Sequence, residues 1–348
     1  MYCNSRPEDY LIASKTGIII VTIVLILAIV VSSFVYLNSQ KPYAGTIESI
    51  DVAYSPFESL TLFWVAQEQH FFSQNGLNVT SHEYATGAGA LDGVLSGEAN
   101  IVVGTTEFPF TARVLNQARI STIASISKSE FTYLVGRVDR GINNVSDLKG
   151  KTIGTTFGTI AHFYLGRFLE LNGLSFQDVT LVDLKTPSEW VDAVVNGSID
   201  AVATAQPYAE MAKNGLGDNA VVWSIQSSQP LYALAIATDE WITNHPELVT
   251  RFLRSLSQAE DFVINHPSEA KAILKNQLNL TDAYMVKAWN ENDFSLSLDQ
   301  SLLLAMHDEA QWLISNNLTN ATTVPNFINY VYEDGLKSVK PSAVNIIG

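Results

Sequence analysis

Four short loops combine small or hydroxyl-bearing residues with the predicted start of a helix, and they are the places where this chain could bind a ligand. They contain Ser55 and Pro56; Gly87 and Ala88; Thr105, Thr106 and Glu107; and Phe157, Gly158 and Thr159. The first turn of a helix exposes backbone N–H groups and carries roughly half a positive charge, which favours anions. Each residue could instead cap its own helix. We expect some of the loops to bind ligand, because several are predicted to meet in one crevice.

The side chains in and near these loops limit the type of ligand. The loops contain no arginine, which argues against a large dianion and leaves a monoanion, a zwitterion or a neutral ring. Glu107 could pair with a ligand amine, although the helix dipole also favours a carboxylate at a helix start. Candidates for an aromatic or imidazole wall are Trp64, Phe108, Phe157, His162, Trp190, Tyr208 and Tyr232. Because most side chains of this size lie in protein cores, each of them has that alternative role.

Composition and missing motifs exclude several classes of function. The sequence contains no HExxH, no G-x-S-x-G, no Walker loop and no Cys/His cluster. Its single cysteine, Cys3, can form neither an intramolecular disulfide nor a zinc cluster. With 20 Lys and Arg against 35 Asp and Glu, the net charge is −15, which repels nucleic acid. We therefore expect a protein that binds no nucleic acid, needs no cofactor or metal, and is not an enzyme.

The N-terminal segment predicts a membrane anchor. Residues 17–37 read GIIIVTIVLILAIVVSSFVYL, which is 21 residues without a charge and long enough to cross a bilayer. We interpret residues 1–16 as a cytoplasmic tail, 17–37 as an uncleaved signal anchor and 38–46 as a tether, with a cleaved signal as the alternative. The rest would lie outside the cytoplasm, which agrees with six N-x-[ST] sequons. They are at Asn78, Asn144, Asn196, Asn279, Asn317 and Asn320.

Beyond the tether, strand-like runs alternate with helical patterns, which predicts an α/β fold with parallel sheets and helices on both faces. One helix is predicted over 58–73, and the chain after residue 246 is mostly helical. The order of elements indicates that the chain traverses one α/β unit, enters a second and returns. We therefore predict lobe 1 from residues 47–135 and 232–348, lobe 2 from residues 136–231, and two crossover strands near 133–140 and 227–235.

Five segments together resemble one family of binding proteins. VAYSPFESLTLFWVAQEQHFFSQNGLNV (52–79), TGAGALDGVLSGEANIVVGTTEFPF (86–110) and VSDLKGKTIGTTFGTIAHFYL (145–165) resemble the opening, the glycine-rich loop and the DLKGK signature of the nitrate/sulfonate/taurine solute-binding proteins. AVVNGSIDAVATAQPYAEMA (193–212) and YVYEDGLKSVKPSAV (330–344) resemble later segments, with Gln206 where many relatives carry Glu. The resemblance runs from about residue 47 to the end, and the order of the five segments agrees with the family.

The resemblance implies a two-lobed periplasmic-binding-protein-like fold of type II with a helical C-terminal region. It implies a monomeric solute-binding component of an ABC importer, with a permease and an ATPase as partners. The solute would be small and anionic or zwitterionic, such as a sulfonate, taurine or nitrate, and would bind in the cleft between the lobes. A neutral pyrimidine or aromatic solute, a ligand-sensing ectodomain and a cofactor-free lyase remain alternatives. The pyrimidine-synthesis branch carries a cysteine-rich motif, which a chain with one cysteine lacks.

Overall fold

Apolar runs and helix caps at predictable places build the elements of the folded part. The computed structural model describes residues 43–227 and 229–347. Within these residues the strands are β1 (Glu48–Tyr54), β2 (Leu77–Glu83), β3 (Ile101–Thr106), β4 (Ile120–Ser129), β5 (Thr132–Arg137), β6 (Thr152–Thr155), β7 (Thr180–Asp183), β8 (Ala201–Ala205), β9 (Ala220–Ser224), β10 (Leu231–Thr238) and β11 (Asn292–Asp293).

Capping side chains or prolines start several of the helices. They are α1 (Thr61–Glu68), α2 (Phe71–Gln74), α3 (Gly87–Leu95), α4 (Glu107–Leu115), α5 (Ile160–Leu171), α6 (Pro187–Val195), α7 (Tyr208–Leu216), α8 (Asp239–Asn244), α9 (Pro246–Asn265), α10 (Pro267–Leu278), α11 (Asp282–Asn290), α12 (Gln300–Ser315) and α13 (Asp334–Val339). At α6, Thr186 and Glu189 form a capping box and Pro187 occupies the first turn. The long helix α9 likewise begins at Pro246.

The strands form two sheets, and the predicted two-lobed α/β architecture is confirmed. The first sheet has the order β11-β4-β10-β3-β1-β2 and the second has the order β7-β6-β8-β5-β9. The chain leaves the first sheet after Ser129, enters the second at Thr132, and returns to the first at Leu231. We call the first sheet with its helices lobe 1, and the second sheet with the helices between β5 and β9 lobe 2. The predicted boundary at residues 135 and 136 falls inside β5.

The prediction of purely parallel sheets is wrong, because both sheets are mixed. β10 runs antiparallel to β3 and β4, and β5 runs antiparallel to β8 and β9. The chain arrives at each of these two strands from the other lobe. No crossover helix of the same lobe precedes them in the described chain, so nothing requires them to run parallel to their neighbours. The remaining neighbours, such as β1 with β2 and β3, are parallel as expected.

The predicted single helix over residues 58–73 is also wrong in detail. A 3-10 turn at Glu58–Leu60 leads into α1, and α2 follows after an interruption at His70. His70 has a φ of 59°, in the left-handed region, where helical hydrogen bonding cannot continue. A histidine gives no strong sequence signal for that conformation, and the apolar spacing runs through it.

Two apolar cores support the lobes. The larger one lies under the first sheet and extends into lobe 2 through α5, whose Phe163 is fully buried against Phe108 of α4. A smaller one lies in lobe 2 between β8 and the helices α6 and α7, and it contains Val135, Trp190 and Val202. On the side of the molecule where Phe108 and Phe163 lie, the two lobes are therefore joined by apolar packing.

The predicted membrane anchor at 17–37 and the cytoplasmic tail at 1–16 lie outside the described residues, as does the tether up to residue 42. Of the helices in the part of the chain that the structure describes, none has the length and apolar character needed to cross a bilayer.

Candidate functional site

A cavity of about 90 Å³ lies where the carboxyl ends of strands from both sheets meet. This is the position at which open α/β folds bind ligands. Lobe 1 contributes the loop after β1, the loop between β2 and α3, the junction of β3 and α4, and the start of β10; the residues are Phe57, Ser59, Thr86, Gly87, Ala88, Gly104, Thr106, Pro109 and Leu231. Lobe 2 and the crossover contribute Phe131, Thr156, Thr159, Ile160, Ala161, Trp190, Ala203, Thr204 and Ala205.

Three helices begin at this cavity. Gly87 and Ala88 open α3, Thr106 immediately precedes α4, and Ile160 and Ala161 open α5. The first N–H groups of a helix have no partner within the helix, so backbone donors and the positive ends of three helix dipoles face one small volume. The Thr86 hydroxyl accepts a hydrogen bond from the Gly89 amide at 3.1 Å and caps α3.

Close backbone approach explains the glycines in these loops. A Cβ on Gly87 would lie 3.0 Å from the Cα of Thr105, so a side chain there would push α3 away from β3. Gly104 has a φ of +76°, and a Cβ on it would lie 2.7 Å from Cδ2 of Leu60. Both glycines allow the loop backbones to line the cavity directly.

The remaining wall is aromatic and aliphatic. Trp190 is fixed by a hydrogen bond from its Nε1 to the Thr156 hydroxyl at 2.9 Å, and Tyr208 packs edge-on against it at 5.3 Å. Tyr208 also contacts Phe57 of lobe 1 edge-on at 6.3 Å. Among the described residues that line the cavity there is no Asp, Glu, Lys, Arg or His side chain. The electrostatics of the cavity therefore come from backbone amides and hydroxyls.

Five of the residues that the sequence suggested for the site line this cavity, namely Gly87, Ala88, Thr106, Thr159 and Trp190. Others are their chain neighbours without lining it, namely Ser55, Pro56, Thr105, Phe157, Gly158 and Gln206. Gln206 accepts a hydrogen bond from the Glu210 amide at 3.1 Å and so stabilises the start of α7. Tyr208 lies behind Trp190 and Phe57.

Four other predicted residues are buried away from the lining. Trp64 belongs to the core under the first sheet, and Tyr232 donates its hydroxyl to Ser301 at 2.9 Å. Glu107 is fully buried and accepts a hydrogen bond from the Tyr232 amide at 3.0 Å. His162 lies between the parallel rings of Phe157 and Phe176, at 4.8 and 5.1 Å. Burial lowers the pKa of His162 to about 4, so its ring is neutral.

A second buried carboxyl, Glu309 of α12, lies near Glu107. Glu309 accepts a hydrogen bond from the Thr111 hydroxyl of α4 at 2.9 Å, and Glu107 is the first residue of the same helix. Burial raises the pKa of Glu107, and burial together with the charge of Glu107 raises the pKa of Glu309. The hydrogen bond from the Tyr232 amide to Glu107 ties the start of α4 to β10, the strand on which the chain returns to lobe 1.

Sequence reasoning missed much of the lining, including Phe57, Ser59, Thr86, Phe131, the segment Ala203–Ala205 and Leu231. Thr86 had a usable signal, because a threonine directly before a glycine-rich helix start is a typical N-cap. Phe131 and Leu231 lie at the two places where the chain passes between lobes, so only the tertiary fold brings them to the cavity.

Comparison with known proteins shows the family of this chain. Residues 58–270, more than half of the chain, match the family model described as NMT1/THI5 like. The chain belongs to the NMT1/THI5-like family. This confirms the resemblance drawn from the five segments. A Brucella abortus relative named as a binding protein is 26% identical over 230 residues, which cover 63% of this chain and 68% of the relative.

This family member is also similar in fold to a solved binding protein and in sequence to an enzyme. The alkanesulfonate-binding protein SsuA from Xanthomonas axonopodis pv. citri, solved bound to MOPS, has a TM-score of 0.72 and 18% identity, covering 83% of this chain and 100% of that one. At this identity the likeness shows the fold alone. The 4-amino-5-hydroxymethyl-2-methylpyrimidine phosphate synthase of Aspergillus parasiticus is 25% identical over 221 residues, covering 60% of this chain and 64% of the synthase.

Proposed function

We propose that this chain is the extracytoplasmic solute-binding component of an ABC importer and that it binds a small monoanionic solute, such as an alkanesulfonate, between its lobes. Residues 17–37 would hold it to the membrane, with residues beyond the tether outside the cytoplasm. It would act as a monomer and deliver its ligand to a separate permease driven by a separate ATPase. Tethering would raise the effective concentration of the binding protein at the permease.

The observation that carries this proposal is the convergence of three helix starts on a cavity with an apolar wall. Backbone amides of α3 and α5 can donate to the oxygens of a single anionic group, and the dipoles of α3, α4 and α5 stabilise its charge. The absence of a lysine or arginine among the lining residues of the described chain favours one negative charge over two. Phe57, Trp190 and Leu231 would contact a short apolar body.

The fold shared with an alkanesulfonate-binding protein and the relationship to a relative named as a binding protein support a solute-binding role. A neutral pyrimidine or aromatic solute is the second candidate. Two observations favour it: the flat Trp190 wall without a charged side chain, and the relationship to a synthase whose name contains a pyrimidine phosphate.

Substitution of Ala161 separates the two candidates. This residue lies in the first turn of α5 and lines the cavity. In Ala161→Asp the new carboxylate suits the helix start but repels an anionic ligand, whereas Ala161→Asn has nearly the same size without the charge. At separations of about 8 to 4 Å and an effective dielectric of about 20, the repulsion is worth roughly 2 to 4 kcal/mol, or about 30- to 1000-fold in affinity.

The assay is titration calorimetry of the full chain in detergent against alkanesulfonates, taurine, nitrate and pyrimidines. Sulfonate buffers such as MOPS must be left out, since the sulfonate-binding neighbour holds MOPS itself. We expect a sulfonate to bind wild type and Ala161→Asn, and to bind Ala161→Asp far more weakly. Equal affinity of an anion for the Asp and Asn variants would contradict the monoanion proposal. A pyrimidine that binds the two variants equally, with no anion binding to wild type, would favour the second candidate.

A further inference from the structure

The two lobes touch along two flanks of very different chemistry. On one flank, Phe163 of lobe 2 stacks on Phe108 of lobe 1 at 5.5 Å and meets the edge of Trp312 at 5.4 Å. All three rings are buried. Separating such rings would expose a large apolar area to water, at roughly 25 cal/mol for each Å². Opening along this flank is therefore costly.

The other flank is polar and partly open to solvent. It is formed by α11 and its following residue in lobe 1, which contribute Lys287 and Glu291, and by Glu210 of α7 and Tyr133 of β5 in lobe 2. Lys287 Nζ lies 3.6 Å from Glu210 Oε2 and 3.8 Å from Glu291 Oε1. The exposed fractions of the Lys287 and Glu210 side chains are 39% and 28%. Water can replace these contacts, so separation here is cheap.

Lys287 is the centre of this cluster. Its ammonium group also lies 5.0 Å from the centroid of the Tyr133 ring, a cation–π contact across the lobes. The Tyr133 hydroxyl donates a hydrogen bond to Glu291 Oε1 at 2.8 Å, again from lobe 2 to lobe 1. Glu210 is held from its own side by Lys213 at 3.3 Å, so its carboxylate is positioned to face Lys287.

We propose that Lys287 is a positioning residue that latches the two lobes together through Glu210 and Tyr133, while the Phe108, Phe163 and Trp312 contact serves as the pivot about which they separate. The latch sets the fraction of closed molecules and the time for which a ligand stays in the cavity. The effect on the time for which a ligand stays bound rests on the proposed function. The effect on the fraction of closed molecules concerns the lobes alone and is measurable without any ligand.

The test uses distance measurements between spin labels on the two lobes of the full chain in detergent. Cys3 is first replaced by serine, because it is the single native cysteine, and labels are placed at exposed positions by Glu68→Cys in α1 and Asp192→Cys in α6. The variants are Lys287→Met, Glu210→Gln, the double substitution and Tyr133→Phe. The matched control is Lys337→Met, which removes an equal charge from a partly exposed pair, Lys337 with Glu333, that lies within lobe 1.

Without ligand, we expect Lys287→Met to raise the ratio of open to closed molecules roughly two- to fivefold, which is the upper part of the range measured for exposed ion pairs. Glu210→Gln should act similarly, and the double variant should be no more open than the stronger single variant, since both remove the same contact. Tyr133→Phe should shift the distribution in the same direction. High salt should open wild type but leave Lys287→Met unchanged, and Lys337→Met should match wild type.

Identical distance distributions for wild type and Lys287→Met would overturn the latch, as would strictly additive effects of the two single substitutions. A ligand found by calorimetry should also dissociate two- to fivefold faster from Lys287→Met. Failure of every ligand to bind would count against the proposed function while leaving the ligand-free distances to decide the latch.

Discussion

Replacing Glu58 should change how the stability of this protein depends on pH. Glu58 lies in the turn between two cavity-lining residues, Phe57 and Ser59, and its side chain is fully buried. Tyr284 donates a hydrogen bond to its Oε1 at 2.5 Å. Burial raises the pKa of Glu58 from 4.5 to about 7, against the lowering effect of that hydrogen bond and with a further rise from the charge of Glu291.

The magnitude follows from linkage between protonation and folding. An unfolded chain releases the Glu58 proton near pH 4.5, whereas the folded protein keeps it until about pH 7. Because the pKa of Glu58 is higher in the folded protein than in the unfolded chain, its protonation contributes stability that is fully present below pH 4.5 and is lost as the pH rises to about 7. At about 1.4 kcal/mol for each pH unit of that interval, the loss is roughly 3 kcal/mol. Glu58→Gln carries no charge, so it should lack this loss.

The measurement is urea unfolding of the full chain in detergent, followed by tryptophan fluorescence at several pH values between 4.5 and 8. The quantity to follow is the free energy of unfolding of wild type minus that of Glu58→Gln. If the amide changes stability by an amount that does not depend on pH, this amount leaves the pH dependence of the difference unaltered. We expect this difference to fall by roughly 3 kcal/mol across the range. Glu68→Gln, at an exposed position of α1, is the control. A difference that stays flat or rises with pH would refute the reasoning.

Two further substitutions test other features described above. His162→Gln should gain up to roughly 3 kcal/mol in stability relative to wild type as the pH falls from 6.5 to 4. Burial lowers the pKa of His162 to about 4, so over this range the unfolded wild-type chain binds a proton that the folded protein does not. The same unfolding assay measures this difference, and a difference that does not depend on pH would contradict the neutral stacked ring. Gly104→Ala should lower the free energy of unfolding by roughly 1–3 kcal/mol more than Gly97→Ala does, as measured by urea unfolding. Both glycines have positive φ, so the backbone strain cancels, but only at Gly104 would the new Cβ meet a side chain, that of Leu60. Equal losses would show that Leu60 moves aside without cost.

The sequence predicted the strands and the loops at their carboxyl ends well, because both depend on local patterns. Gly87 and Thr159 line the cavity since each lies at a helix start directly after a strand, as the apolar runs indicated. Reversal of β5 and β10 was not predictable from these patterns. The direction of a strand depends on which neighbours it joins, and β10 joins β3 and β4, more than 100 residues earlier.

The aromatic candidates show the limit of composition as a guide to a site. Trp64 and Trp190 were equal candidates by residue type, yet Trp64 lies in the core and Trp190 lines the cavity. What distinguishes Trp190 is its bond to the Thr156 hydroxyl, from another loop. Likewise Glu107 was considered for ligand binding, but its partner is the Tyr232 amide, 125 residues away. Such pairings exist only once the fold has formed.

The position of β10 between β3 and β4 has a consequence for the way the chain is made. Every strand of the second sheet lies in the uninterrupted stretch from Thr132 to Ser224, so that sheet can assemble as soon as this stretch has left the ribosome or a translocation channel. The first sheet must wait for Leu231–Thr238 to join its two parts. A nascent chain halted before Leu231 would hold β3 and β4 apart with their apolar edges uncovered, and would be a target for chaperones or proteases.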